Sequence, residues 1–291
     1  MKLTHTRTVA VMVLVTLMWS TAGVVTRQLE TARSFEVTFW RSFFTLASLL
    51  VILPLFQGRA VFTKIRKGGK ALWLSGVCWG VMFTAFMVAL TLTTVANVLV
   101  TMALGPFLTA LMARVFIGHK IPARTWLAIA LASAGIAWMY GGQMDLSSQL
   151  PGTLVALLVP LAAACNWTVV QHGGAHGQKI DLVPAVLIGA AISALATLPL
   201  AFPFLATPHD IWLLAGLGLF QLAIPCVLAV LCAGVLKAPE VALLALLEVI
   251  FGIFLAWLGA GEVPGSSVLT GGSLVIGALV VNELIGWRQR A

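Results

Sequence analysis

One carboxylate interrupts a long and otherwise uncharged apolar stretch of this chain. Residues 241–261 read VALLALLEVIFGIFLAWLGAG, and Glu248 is the one ionisable side chain among them. A helix of this length rises roughly 31 Å, about the thickness of the hydrocarbon core of a bilayer. An ionised carboxylate at that depth needs a partner, a proton or a water-filled cavity. Glu248 is therefore predicted to exchange protons or to anchor a solute, and a protonated carboxyl bonded to a neighbouring helix is the structural alternative.

Amide and indole side chains occur within several other apolar stretches. An amide inside a membrane needs a hydrogen-bond partner, so it either joins helices or contacts a ligand. A Trp that lies deep in a span can stack on an apolar solute or fill the bundle. The residues that we select as candidates for lining a solute cavity, besides Glu248, are Trp19, Ser20, Trp79, Asn97, Asn166, Trp167 and Gln221.

A cation near the start of an apolar run and three prolines complete the set of candidate functional residues. Arg41 stands early in the second apolar run, where it could bind a solute carboxylate, pair with Glu36 or snorkel to the membrane surface. Pro106, Pro160 and Pro225 lie inside apolar runs, and each is predicted to free a backbone carbonyl and kink its helix. Kinks of this kind lie beside transport sites in many transporters, although they also serve packing alone.

Other kinds of chemistry find little support in the sequence. His172 and His176 have the i,i+4 spacing of a metal pair, but the Gly-Gly between them argues against a regular helix, so no metal site is predicted. The four cysteines lie in apolar stretches without a CxxC spacing and are predicted to be core residues. Nucleotide-binding, serine-hydrolase and zinc-protease motifs are absent, so neither enzymatic activity nor a cofactor is expected.

The composition of the chain indicates a multi-spanning membrane protein. Of its 291 residues, 60% are hydrophobic and 9% are charged, whereas soluble domains carry about 25% charged residues. The net charge of +8 would favour nucleic acid as a partner of a soluble chain. In a membrane protein the same excess is expected in basic cytoplasmic loops, so no nucleic-acid partner is predicted.

Charged and polar breaks divide the chain into ten predicted spans, arranged as five and five. An odd number in each half means that the second half enters the membrane from the opposite side, which is the arrangement of an inverted-topology repeat. The predicted halves are 1–146 and 147–291. The predicted spans are 8–26, 37–56, two within 71–113 that divide near 91–94, 125–141, 152–171, 182–203, 211–235, 241–261 and 267–284.

The basic residues predict the orientation, and an internal match supports the repeat. With the N-terminus inside, all of the 17 Lys and Arg residues except Arg27, Arg33 and Arg41 lie on the cytoplasmic side. Both termini are therefore predicted to be cytoplasmic. Residues 105–122 also align without gaps on residues 247–264, an alignment that sets Pro106 opposite Glu248.

Several short motifs in a fixed order resemble one family. They are Trp19-Ser20, Arg41, Gly105-Pro106, the GHKIP of 118–122, its echo GEVP at 261–264, and Gly271-Gly272. The pattern resembles the ten-helix EamA-type members of the drug/metabolite transporter superfamily over nearly the whole chain. Lys120 departs from it, because family members usually carry Glu at that position and here the glutamate occurs only in the second half, as Glu262.

The resemblance implies a secondary transporter with two EamA-like halves. We expect an all-α, multi-pass protein of the cell (inner) membrane that exports an amino acid, a related metabolite or a drug by alternating access from a midplane cavity. The first, third, fourth, sixth, eighth and ninth helices would line that cavity. The expected partners are a small solute, the bilayer and protons exchanged at Glu248, and the protein would be a monomer or a homodimer. The alternatives are an importer or facilitator, a non-transporting helper subunit, or a membrane-embedded enzyme.

Overall fold

Apolar helices joined by short loops make up the computed structural model. It describes residues 4–26, 28–32, 34–93, 98, 101–118, 120–140, 150–175, 181–260 and 265–288, and no strand occurs among them. The helices are α1 (His5–Thr26), α2 (Ser34–Gln57), α3 (Ala60–Arg66), α4 (Lys70–Leu92), α5 (Gly105–Ile117), α6 (Ala123–Tyr140), α7 (Leu150–Ala175), α8 (Pro184–Ala201), α9 (Pro208–Gly216), a π-helical segment (Leu217–Ala223), α10 (Ile224–Ala233), α11 (Ala238–Ala245), α12 (Leu247–Ala260) and α13 (Ser266–Arg288).

The lengths and the apolar surface of these helices fit a bilayer. Within the described residues, seven helical stretches are long and apolar enough to cross a membrane, and three shorter apolar helices accompany them. Large apolar side chains point outward, such as Phe56, Trp212 and Leu195, which are 83%, 79% and 70% exposed. In water such a surface would be unfavourable, whereas in lipid it is the expected outer face of a bundle. The predicted class, an all-helical integral membrane protein, is confirmed.

The predicted helix over 241–261 is in fact two helices. Helix α11 ends at Ala245 and α12 begins at Leu247. Around Leu246 the backbone forms tight i→i+3 bonds, from Leu246 N–H to the Leu243 carbonyl and from Val249 N–H to the Leu246 carbonyl. Glu248 consequently lies in the first turn of α12, beside a break, rather than in the middle of a continuous helix.

The three prolines occupy different kinds of position. Pro160 is inside α7, and Pro225 lies where the π-helical segment passes into α10. Pro106 is in the first turn of α5, which follows a turn at 103–104, so its missing N–H breaks no intrahelical bond there. Pro106 thus lies directly after a break in the helical backbone, and the predicted kink at Pro106 stays a prediction.

The two halves of the sequence are interleaved in the bundle. Each of the most extensive helix contacts joins a helix before residue 146 to an element after residue 147. Helix α1 packs on α10 and α12, α2 on α8 and the π-helical segment, α4 on α7 and α8, α5 on α7 and α11, and α6 on α13. The interior of the protein is therefore shared between the halves.

Glycines allow some of these helices to approach at backbone distance. A Cβ added to Gly189 of α8 would stand 2.9 Å from the amide nitrogen of Gly80 in α4. A Cβ added to Gly218 in the π-helical segment would stand 2.9 Å from the amide nitrogen of Thr45 in α2. Small residues at helix interfaces favour such close packing in membranes. These two contacts fix α4 against α8, and α2 against the π-helical segment.

Replacing Gly189 with alanine should destabilise the bundle. The new methyl group would meet backbone that has little freedom to move, and overpacking of this kind typically costs about 1–3 kcal/mol. The measurement is the thermal unfolding midpoint of the purified protein in detergent. Gly277→Ala is the matched control, because a Cβ at Gly277 in α13 meets nothing within 4 Å. Equal midpoints for the two variants would contradict this account of the α4–α8 contact.

Candidate functional site

Aromatic rings from separate helices meet in the interior of the bundle. The Trp79 and Trp167 rings are T-shaped with centroids 5.7 Å apart, and the Trp79 and Phe83 rings lie 5.5 Å apart. All three side chains are buried, and Trp19 of α1 belongs to the same apolar cluster. Trp79 and Phe83 are four residues apart, so they share one face of α4. These rings form an aromatic part of the core between α1, α4 and α7.

Arg41 is buried in the interior of the bundle, so its side chain does not snorkel to the membrane surface. Its side chain is 3% exposed, and Nη2 donates to the Phe83 carbonyl oxygen of α4 at the long distance of 3.5 Å. The buried Nε has no hydrogen-bond partner. Glu36 does not pair with it, because the Glu36 carboxylate accepts hydrogen bonds from the backbone of Leu205 and Ala206. The guanidinium therefore carries an incompletely satisfied charge in the core.

The opposing charge comes from Glu248 in the first turn of α12. The Arg41 guanidinium and the Glu248 carboxylate interact electrostatically, but no nitrogen–oxygen distance within 4.0 Å joins these two described side chains. Glu248 is partly exposed, and no described residue gives it a hydrogen bond. The Cys226 thiol of α10 also interacts electrostatically with both charges, and Cys226 belongs to the same apolar cluster as Trp19. The two opposite charges thus interact electrostatically without forming a direct ion pair.

Two amides extend this polar interior. The Ser75 hydroxyl donates to Asn166 Oδ1 at 2.6 Å, and Gln221 Nε2 donates to the Trp19 carbonyl oxygen at 3.3 Å. These bonds tie α4 to α7 and the π-helical segment to α1. The remaining amide atoms, Asn166 Nδ2 and Gln221 Oε1, are buried without a partner, as is the indole nitrogen of Trp79. Because buried polar atoms in native proteins are almost always paired, these atoms indicate the place of a bound molecule or water.

We call this set of residues the central cluster. Seven helical elements contribute to it: α1, α2, α4, α7, the π-helical segment, α10 and α12. Its members are Trp19, Arg41, Trp79, Phe83, Asn166, Trp167, Gln221, Cys226 and Glu248.

The structure brings most of the sequence candidates together, with two exceptions. Asn97 lies outside the described residues. The Ser20 hydroxyl is occupied within its own helix, where it donates to the Leu17 carbonyl oxygen. Of the histidine pair, His176 likewise lies outside the described residues.

Three residues in or beside the central cluster, Ser75, Phe83 and Cys226, were not predicted from the sequence. Ser75 and Phe83 lie four residues on either side of Trp79, so helical spacing could have placed them on the same face of α4. Cys226 gave no comparable signal, because a cysteine in an apolar run has the pattern of a core residue.

A second polar site, which we call the carboxylate junction, joins two loops at one end of the bundle. Asp210 is fully buried and accepts N–H bonds from Glu30, Thr31 and Ala32 at 2.8–3.1 Å and from Thr207 at 3.3 Å. Glu36 is buried as well and accepts bonds from the Leu205 and Ala206 amides and from the Trp40 indole. The loop between α1 and α2 is thereby bound to the loop between α8 and α9.

Three side chains of the carboxylate junction are of types that can bind a metal ion. Ligand atoms of Glu30, His209 and Asp210 all lie within 4.8 Å of one another. The two Asp210 oxygens already accept backbone N–H groups, and Glu30 is paired with His209 at 3.8 Å and with the Thr207 hydroxyl at 3.1 Å. These contacts account for the close grouping of the three side chains, which link the two loops.

Polar contacts connect elements near the other end of α1. His5 Nε2 lies 3.6 Å from Glu240 Oε2 at the start of α11, and Lys64 Nζ lies 3.0 Å from Asp181 Oδ2. In each case a residue of the first half contacts a residue of the second half. The central cluster therefore lies on elements that are connected by polar contacts toward both ends of the bundle.

Comparison with known proteins agrees with this arrangement. Residues 6–141 match the EamA-like transporter family. The family resemblance predicted from the sequence is thereby confirmed, and the EamA-like part includes Trp19, Arg41 and Trp79. Together with the membrane-length apolar helices, the match makes the protein a multi-pass membrane protein of the transporter class, and the predicted membrane localisation is confirmed.

Two relatives and one solved structure resemble the chain beyond the EamA-like part. The relatives are pseudopaline exporters CntI from two strains of Pseudomonas aeruginosa, UCBPP-PA14 and PAO1. Each is 24% identical over 245 residues, which cover 84% of this chain and 84% of the relative. A crystal structure with 16% sequence identity covers 97% of this chain and 99% of its own, with a TM-score of 0.75. At that identity the likeness concerns the fold alone.

Proposed function

We propose that this protein is a secondary transporter with ten spans that exports a small organic solute across the cell (inner) membrane. The observation that carries the proposal is a buried, incompletely paired polar cluster inside a membrane bundle whose first half matches a transporter family. Polar and ionisable groups within membrane spans are rare and mark solute or ion pathways. No nucleotide-binding motif accompanies them, so an ion or solute gradient would drive the transport.

Ten spans and two inverted halves are part of this proposal. Seven membrane-length helical stretches and three shorter apolar helices together supply the elements for ten spans. Five spans in each of the halves 1–146 and 147–291 would give opposite orientations to the two halves. The concentration of Lys and Arg in alternate loops favours cytoplasmic termini. Labelling of single cysteines introduced into the α2–α4 loop tests this orientation, and access from outside the cell would contradict it.

Alternating access at the central cluster is the proposed mechanism. The cluster draws residues from elements of both halves, so a relative movement of these elements would change the surroundings of a bound solute. The contacts of the carboxylate junction and the ion pairs His5–Glu240 and Lys64–Asp181 are candidates for bonds that differ between the two states. Proton exchange at Glu248 stays a prediction of the same scheme.

Export rests on the relatives, because both matched proteins are named as exporters. An importer or a facilitator is the competing transport function. Counterflow and net flux in proteoliposomes, measured for amino acids, amines, organic acids, sugars and drugs with and without a pH gradient, test the proposal. We expect concentrative, gradient-dependent flux of at least one class of solute. Absence of flux for every class would overturn the proposed function, and flux that is always downhill would favour a facilitator.

A further inference from the structure

We propose that the short helix α3 and the turns beside it bind the anionic headgroups of phospholipids at the membrane surface. The binding groups are four exposed cations and two exposed aromatic rings, which we call the α3 surface. They are Arg59, Arg66, Lys67, Lys70, Phe62 and Trp73. A purely topological role of a basic loop needs only its charge, whereas this proposal depends on where the structure places each side chain.

The helices on both sides of the α3 surface place it at the boundary of the membrane. Helix α2 ends at Gln57 and α4 begins at Lys70, and both are long and apolar enough to cross a bilayer. The residues between two successive spans emerge at the level of the lipid headgroups. The four cations are therefore held next to a layer that contains phosphate groups.

Helix α3 is fixed against the bundle, which defines its outer face. Val61 is fully buried, and Ile65, one turn later, packs on the same apolar core cluster. Lys64 Nζ lies 3.0 Å from Asp181 Oδ2 and 3.4 Å from Gln57 Oε1. These contacts turn Val61 and Ile65 toward the core and leave the other side of the helix open.

Exposed rings lie beside the cations on that open side. Phe62 and Arg66 are four residues apart, so they share one face of α3, and Phe62 is 43% exposed. Trp73 follows three residues after Lys70 in α4 and is 47% exposed. A ring next to a cation suits the membrane interface, because the ring enters the boundary between headgroups and acyl chains while the cation meets phosphate.

The four cations have no acidic partner within the part of the chain that the structure describes. None of them lies within 4.0 Å of a described carboxylate, and Asp181, the acid that α3 does contact, is already paired with Lys64. A guanidinium matches the oxygens of a phosphate group, and a Lys ammonium attracts it as a point charge. Each such cation near an anionic membrane surface should strengthen binding about 5-fold, the equivalent of roughly 1 kcal/mol.

Binding of phosphatidylglycerol to the purified protein tests this inference, with phosphatidylcholine as the probe that has no net charge. Apparent dissociation constants for both lipids are measured by native mass spectrometry of the protein in detergent. We expect the wild type to prefer phosphatidylglycerol. Arg66→Gln/Lys67→Gln should weaken its binding by about 30-fold, the effect of two charges, and leave phosphatidylcholine binding unchanged. The preference should also fall as the salt concentration rises, because exposed charges are screened.

Lys120→Gln/Lys237→Gln is the matched control for the loss of charge. Both residues are exposed, and the variant removes the same charge from two separate loops. Its affinity for phosphatidylglycerol should stay within about 5-fold of the wild type. An equal loss in the two variants would show that net charge, rather than the α3 surface, sets the affinity, and would contradict the proposal. If Arg66→Gln/Lys67→Gln fails to fold, Lys67→Gln/Lys70→Gln decides the result.

Two further results would overturn the inference. If the wild type binds both lipids equally, the basic residues between α2 and α4 serve orientation alone. If inorganic phosphate displaces phosphatidylglycerol at equal concentration, the surface is a site for small anions rather than for lipid headgroups. Since these measurements do not involve flux, the proposed transport function stands or falls separately.

Discussion

Replacing Asp210 with alanine is expected to cause a large loss of stability. The carboxylate accepts four backbone N–H groups, from Glu30, Thr31, Ala32 and Thr207. It also completes the capping box at the start of α9. A buried N–H without a partner costs roughly 1–3 kcal/mol, so several kcal/mol should be lost even where water replaces some of the bonds.

The unfolding midpoint and the monodisperse fraction in detergent measure this effect. Asp210→Asn should have an intermediate midpoint, because the amide keeps one acceptor oxygen and loses the charge. Glu30→Gln should change little, since an exposed ion pair such as Glu30–His209 contributes about 0–1 kcal/mol. An Asp210→Ala variant as stable as Glu30→Gln would show that the carboxylate junction does not stabilise the bundle.

Replacing Asn166 with alanine is expected to reduce transport far more than replacing Ser75, the residue that bonds to it. Both variants lose the hydrogen bond between α4 and α7, which is worth about 0.6 kcal/mol on average in a membrane protein. Only Asn166→Ala also removes the unpaired Nδ2 donor. If that donor binds solute, transport efficiency should fall by at least about 10-fold more in Asn166→Ala, which corresponds to one lost interaction of about 1.4 kcal/mol.

Flux in proteoliposomes and unfolding midpoints are measured on the same preparations. The two variants should have similar midpoints, and the double variant Ser75→Ala/Asn166→Ala should transport like Asn166→Ala alone. Equal flux in the two single variants would contradict a solute contact. Asn166 would then act as a link between helices, which is the alternative role of an amide in a span.

The class of the fold and most members of the candidate site were predictable from the sequence. Long uncharged runs bounded by charged loops predict membrane helices, because the cost of burying charge in lipid is large. Glu248, Asn166 and Gln221 stand out in those runs for the same reason. Whether these residues meet in one cluster depends on the rotation of each helix about its axis. Hydropathy alone does not determine that rotation.

The local breaks in the helices were not predictable from hydropathy. The turn at Leu246 and the π-helical segment Leu217–Ala223 occur in stretches that are apolar throughout. Both breaks change which way the following side chains face, including those of Glu248 and Gln221. Arg41 illustrates the same limit, since its place near the start of a span allowed a surface position until packing against α4 placed it in the core.

The interleaving of the two halves has a consequence for biosynthesis. When the ribosome has completed residues 1–146, none of the most extensive helix contacts of those residues can yet exist, because each needs a partner from the second half. Helices α1, α2 and α4 are then in the membrane without these partners, and Gly80 of α4 lacks its contact with Gly189 of α8. We therefore expect the nascent first half to be more prone to misassembly than the complete bundle until the second half is synthesised.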